Sequence, residues 1–207
     1  MVTITAYHLP ETRLIPNSPQ PLLYYKGLLT ESERRPENID QRFTQQHWKT
    51  QWIFRYATIR FGVADLDDDL YKNTWGGAYE PGGLKLEVQA GDALIIPAGV
   101  AHKTYNTSPA DAFSLLTPGQ GRGLQTDNVY EALSRVKLSG FTMMGAYPGN
   151  CSDWDFSRGG EDLNNFQASW EVARPDFDPF LGTDKEGICG KWNAMPRSNR
   201  KNPYARI

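Results

Sequence analysis

The chain has 207 residues, of which 39% are apolar and 22% charged. That is enough apolar side chain for one substantial domain with its own core, and it argues against global disorder. The 22 basic and 24 acidic side chains leave a formal net charge of -2, so no broad cationic field is available to collect nucleic acid or acidic lipid. No apolar run reaches the length of a bilayer. Residues 1–10 also lack a basic start followed by an apolar stretch, so a cytoplasmic protein without a secretory leader is expected. Cys151 and Cys189 are the only cysteines. One disulfide is arithmetically possible; two thiols in a reducing compartment is the plainer reading.

In chain order, residues 1–21 are rich in Pro and short polar side chains and predict an irregular arm. Leu22 to Leu29 is apolar and aromatic and predicts a strand. Residues 36–47 predict a helix with Pro36 in its first turn and a thin apolar face of Ile39, Phe43 and Trp48. From Trp52 to Val63 the aromatic and β-branched residue types favour strands. Asp65-Leu-Asp-Asp-Asp69 is too charged for a core strand and predicts an exposed turn, and Gly76-Gly77 and Pro81-Gly82-Gly83 mark further turns.

Leu84 to Val88 alternates apolar and polar residues as a half-buried strand does. Residues 93–96 and 103–106 predict strands flanking a Pro97/Gly99 turn, and 113–116 another short strand. Gly119-Gln-Gly-Arg-Gly123 lacks the Lys-Ser/Thr ending of a phosphate loop and reads as an ordinary loop. Residues 126–138 predict a second helix with Val129, Leu133 and Val136 on one face and Asp127 near its start. Residues 141–147 return to the sheet. The basic end, from about residue 195 to 207, predicts a frayed tail on a single domain spanning 1–207.

Short strands separated by Gly/Pro turns point to an all-β sandwich or barrel with a few peripheral helices. The most informative stretch is Gly91-Asp-Ala-Leu-Ile-Ile-Pro97-Ala-Gly99-Val-Ala-His102-Lys-Thr-Tyr-Asn106. Its Gly91, Pro97, Gly99, His102 and Asn106 resemble the second conserved motif of the cupin superfamily. Ile15-Pro-Asn17, Leu22 to Gly27, Gly76-Gly77, Gly145 to Gly149, Asp178 to Gly182 and Trp192 extend the likeness to a bacterial and fungal cupin subfamily of unassigned function. The resemblance implies a double-stranded β-helix, a jelly-roll-like barrel, and commonly a homodimer. It also implies a metal site built from a His-x-His pair, a Glu and the second-motif His. Only His102 matches that set: the first-motif region, near residues 52–63, has neither His nor acid. No metal site and no cofactor are therefore expected. Glu80, Glu87 and Asp92 are acids nearby in sequence.

A barrel of this kind presents an apolar pocket with an imidazole inside, and His102 is the candidate general acid or base. Its competing assignment is a vestigial, hydrogen-bonded core group. Tyr56 and Arg60 share one strand face and Arg55 takes the other. Tyr56 and Arg60 are the pair taken to turn inward as catalytic partners of His102. Trp52, Phe54, Trp75 and Tyr147 are candidates to line the pocket, with simple core packing as the alternative for the aromatics. Thr104 and Asn106 share the His102 face by alternation, whereas Lys103 and Tyr105 point away.

The expected function is a metal-independent isomerase, cyclase or lyase acting on a hydrophobic small-molecule metabolite. The alternatives are a nonenzymatic small-molecule binding protein, a metal-dependent cupin oxygenase or isomerase with unusual ligands, and a structural dimer with a filled barrel. Neither nucleic acid nor membrane is an expected partner.

Overall fold

Leu22-Leu-Tyr-Tyr25 is apolar on both faces of the strand it forms, and both faces are buried. The computed structural model describes residues 2–54, 58–106, 114–140, 142–149, 151, 159–161 and 163–192, with Trp52 and Phe54 described by their backbone alone. Strand β2 (Leu22–Lys26) is the centre of a three-stranded antiparallel sheet, flanked by β1 (Thr3–Tyr7) and β6 (Ala93–Ile95). Successive side chains of a strand face opposite ways, so β2 serves two cores. Leu23 and Tyr25 join Phe43, Trp48, Ile95, Ile188 and Trp192 on one side. Leu22 and Tyr24 join Ile59, Phe61, Leu86 and Val100 on the other.

Two further sheets are formed among the described residues. Strand β3 (Trp48–Phe54) pairs antiparallel with β8 (Met143–Pro148), with a register shift between Thr50 and Trp52. Strand β4 (Thr58–Phe61) lies between β5 (Leu84–Glu87) and β7 (His102–Tyr105), antiparallel to both. Helix α1 (Pro36–Gln45) carries Pro36 at its start and buries Phe43 in the first core. The short helices α2 (Leu70–Thr74), α3 (Val129–Ser134), α4 (Phe166–Trp170) and α5 (Ile188–Lys191) punctuate the connections.

This architecture corrects the expected all-β double-stranded β-helix. Among the described residues the structure is mixed, with about 20% helix and 24% strand, and no ladder joins one sheet to another. A barrel requires staggered pairing all the way round, and the described strands pair only within three separate ladders. Apolar side chains of β2 and β4 pack two of these sheets against each other.

Smaller corrections follow the same logic. The arm holds a real strand, β1, because Thr3–Tyr7 finds the free edge of β2. The charged turn at 65–69 ends in Asp69, whose carboxylate accepts from the N–H groups of Tyr71 and Lys72 and starts α2, a helix not expected from the sequence. The second expected helix is short, and its cap is Asn128, not Asp127. Residues 114–116 form no strand, although Leu116 N–H donates to Ile53 O at 3.0 Å. Phe113 and the basic end, residues 193–207, lie outside the described residues.

The late segment is fastened by Asp178, which is fully buried. Its Oδ2 accepts from Tyr25 OH at 2.6 Å and from Ile188 N–H at 3.0 Å, while Oδ1 accepts from Phe180 and Leu181 N–H. Burial, then the bond to Asp178, drives the Tyr25 phenol well above the ordinary tyrosine range, so it stays a donor. Trp192 closes the same region by donating from Nε1 to Pro21 O at 2.7 Å.

Asp178→Ala would leave one phenol and three N–H groups without acceptors, each costing about 1–3 kcal/mol when buried. The expected loss is about 3 kcal/mol or more in urea unfolding, against about 1 kcal/mol for Tyr25→Phe, with the denaturant slope unchanged in both.

Candidate functional site

The sheet β5-β4-β7 has two faces of opposite chemistry, and cross-strand register decides which residue lies on each. Phe61 pairs with His102 and Leu84, and Ile59 with Thr104 and Leu86. Directly paired residues share a face, so His102 and Thr104 lie beside Phe61 and Ile59, facing the second core. The His102 ring lies 6.3 Å from the Phe61 ring, tilted by 31°. Its surface is reached by water-sized contacts, yet desolvation by surrounding protein lowers its pKa below the usual 6.5, partly offset by a backbone hydrogen bond at Val100. His102 is exposed at its surface, and its ring packs against Phe61. There the imidazole is neutral at pH 7, with one nitrogen able to accept a proton.

The opposite face carries a cationic row across three strands: Lys85, Arg60 and Lys103 are register partners. Like charges so placed repel, and segment 65–79 supplies the compensation. Arg60 is 2% exposed. It donates from Nη1 to Asn73 O at 2.9 Å and from Nη2 to Asp65 Oδ1 at 2.5 Å, and its guanidinium lies 3.8 Å from the centre of the Tyr79 ring. Lys103 Nζ donates to Asp65 Oδ2 at 2.8 Å and to Asn73 Oδ1. Lys85 Nζ meets the Tyr79 hydroxyl at 2.9 Å, and that bond, with the two nearby cations, lowers the Tyr79 pKa below its usual value.

The expected site residues are thus divided. His102 and Thr104 share the face of Phe61 and Ile59. Arg60 is turned away from it, and its guanidinium is committed to Asp65, Asn73 and Tyr79, so the inward catalytic partnership of Arg60 with His102 is not realised. Asn106 also leaves the His102 face. The residue adopts a positive φ of 54° just past the end of β7, which breaks the alternation, and its Oδ1 accepts from Trp75 Nε1 at 3.0 Å. Trp75 stands edge-on to Tyr105, on the Arg60 side. Tyr147 is half-buried opposite Lys49 on β8. It alternates with Met144 and Ala146, which pack on the first core, and shares parity with Met143, which packs on the second. Tyr56 lies outside the described residues, as do the side chains of Trp52 and Phe54.

The acids near His102 in sequence serve elsewhere. Asp92 accepts from Tyr24 OH, Gly27 N–H and Gln89 N–H, Glu80 accepts from the N-terminal arm, and Glu87 is exposed on the Arg60 face. Among the described residues no three His, Cys, Asp or Glu side chains come together as a metal-binding group, and no helix is long and apolar enough to cross a membrane. Sequence reading missed Asp65, Asn73, Tyr79 and Lys85 as a cluster. Their spacing carries no motif, and only the regular alternation of β5 and β7 hinted that Lys85 and Lys103 share a face.

The chain is 25% identical over 195 residues to an uncharacterized protein, YjlB, of Bacillus subtilis (strain 168), covering 90% of this chain and 94% of that one. No family model matches the chain, and no solved structure does.

Two outcomes are expected. Asp65→Asn removes the carboxylate shared by Arg60 and Lys103, and unfolding should show a loss of about 2–3 kcal/mol, below the full cost of a broken buried pair because Asp65 is itself partly exposed. A proton NMR titration should place the His102 midpoint below 6.5. Because the folded state binds that proton less readily than the unfolded chain, the His102 contribution to stability is complete above pH 6.5. It declines as pH falls through 6.5 towards the folded-state midpoint.

Proposed function

We propose that the chain is a small-molecule enzyme acting on a hydrophobic metabolite, with His102 as its general base and the reaction an isomerisation, cyclisation or elimination that needs no metal. The observation that carries the reading is the exposed imidazole of His102, its pKa lowered, on the sheet face it shares with Phe61, Ile59 and Thr104. Phe61, Ile59 and Leu86 are already buried in the second core, so half-buried Leu84 is the apolar surface of this face left for a ligand body. A neutral imidazole beside it accepts a proton from a carbon acid or a hydroxyl. The imidazolium so formed is poorly solvated, which favours return of the proton to the rearranged substrate, the pattern of an isomerase or lyase. Thr104, one position along the same face, offers a hydroxyl to orient a polar group of the ligand.

The test is solvent exchange. Wild-type chain and His102→Gln are incubated in deuterium oxide with a panel of small aliphatic and aromatic carbonyl compounds, and proton NMR follows loss of their α-protons. The expected result is catalysed exchange for at least one compound, slowed by about 100-fold or more in the variant while its circular dichroism is unchanged. Equal exchange by both proteins removes His102 from the chemistry. Saturable binding without exchange favours the nonenzymatic binding protein.

A further inference from the structure

A concavity lies between the N-terminal arm and the turn after Tyr79. It is a cavity of about 300 Å³, with Leu9, Pro10 and Pro81 as apolar walls and Thr12, Asn17 and Glu80 as polar ones. His102 is not among its walls. The volume is at the low end for small-molecule sites.

Two buried groups in this wall lack a partner of one kind: Asn17 Oδ1 a donor, and Glu80 a cation among the described residues. Asn17 is 2% exposed and Glu80 6%. The Asn17 Nδ2 donates to Pro10 O at 2.6 Å and Gly62 O at 2.9 Å, and those two carbonyls fix which end of the amide is nitrogen. Its Oδ1 is therefore an acceptor, and it finds no hydrogen-bond partner among the described residues. Asn17 also holds a left-handed φ of 39°, a conformation that costs energy away from glycine. Glu80 accepts from Thr12 OH at 2.6 Å, Ala64 N–H at 3.0 Å and Leu14 N–H at 3.2 Å, all neutral donors. Among the described residues no cation pairs with it. A buried carboxylate without a counter-charge and a buried amide oxygen without a donor each carry an unmet electrostatic cost.

The remaining charged walls are Glu11 and Arg13, both exposed. Two acids against one base leave the cavity with a net negative charge, and both interior groups are acceptors. We propose that this cavity binds a small molecule through an ammonium group, which takes the Glu80 carboxylate as its counter-ion and donates to Asn17 Oδ1. An ammonium has three donors and no acceptor, so it supplies what both wall groups lack. The apolar walls accept a short alkyl chain, and Arg13 is placed to receive an anionic tail if the natural amine carries one.

The experiment is a titration of the nitrogen-15-labelled full chain with n-propylammonium chloride. Parallel titrations use 1-propanol and sodium propionate, which match it in size and differ in charge, at constant ionic strength. The expected result is saturable movement of the Leu14 and Ala64 amide signals, whose N–H groups donate to Glu80, with binding roughly tenfold or more weaker for the alcohol and the carboxylate. Glu80→Gln, where its amide spectrum remains that of a folded chain, should weaken propylammonium by a similar factor. If that variant does not fold, the selectivity of the wild-type chain decides alone. No saturation into the high millimolar range, an equal response to propionate, or shifts confined to the strand of His102 would each overturn the proposal.

Discussion

A guanidinium cannot be buried on a strand unless the protein meets its charge and its N–H groups, and at Arg60 that requirement organises one whole side of the molecule. The flanking lysines at Lys85 and Lys103 sharpen it, since three cations in register repel one another. Segment 65–79 folds over the row because it brings a carboxylate, a main-chain carbonyl, an amide and an aromatic ring to one place. Helix α2 and the Asp65–Tyr79 bridge follow from that docking. With one face of the sheet occupied in this way, the other is left to apolar packing and to His102.

The same division runs through the centre of the fold. Strand β2 sends alternate side chains into two cores, so the sheet it centres is a partition between them. On one side, α1 and the late segment close over Tyr25, and Asp178 holds that closure through acceptors that no water could readily replace. On the other, Phe61, Ile59 and their partners form the apolar ground against which the imidazole of His102 is desolvated.

Much of the strand pattern was legible. The apolar run at 22–26, the alternation at 84–87 and the turn at Pro97/Gly99 all state local preferences that the tertiary structure does not overrule. The helix at Pro36 was legible for the same reason, because proline at a helix start acts within one turn. The likeness to a cupin motif placed His102 on a strand after a turn, but it also carried the expectation of a closed barrel. Closure depends on pairing between strands far apart in sequence, and no local signal encodes it.

The site was legible by residue and not by arrangement. Alternation alone puts His102 and Thr104 together and sends Lys103 to the other face, because period two is a property of any strand. It could not say that Arg60 faces away from His102, since that depends on which residue of β4 stands opposite which of β7, and a slip of one position would reverse it. Nor could it foresee that a positive φ at Asn106 would carry that side chain round to Trp75. By itself the sequence determined the strand at 22–26, the strands on either side of the Pro97/Gly99 turn, the first helix and the presence of one imidazole after that turn, because those rest on interactions within a few residues. The tertiary structure alone decided the register, the burial of Arg60 and the lowering of the His102 pKa, because each is set by groups that meet only when distant segments pack.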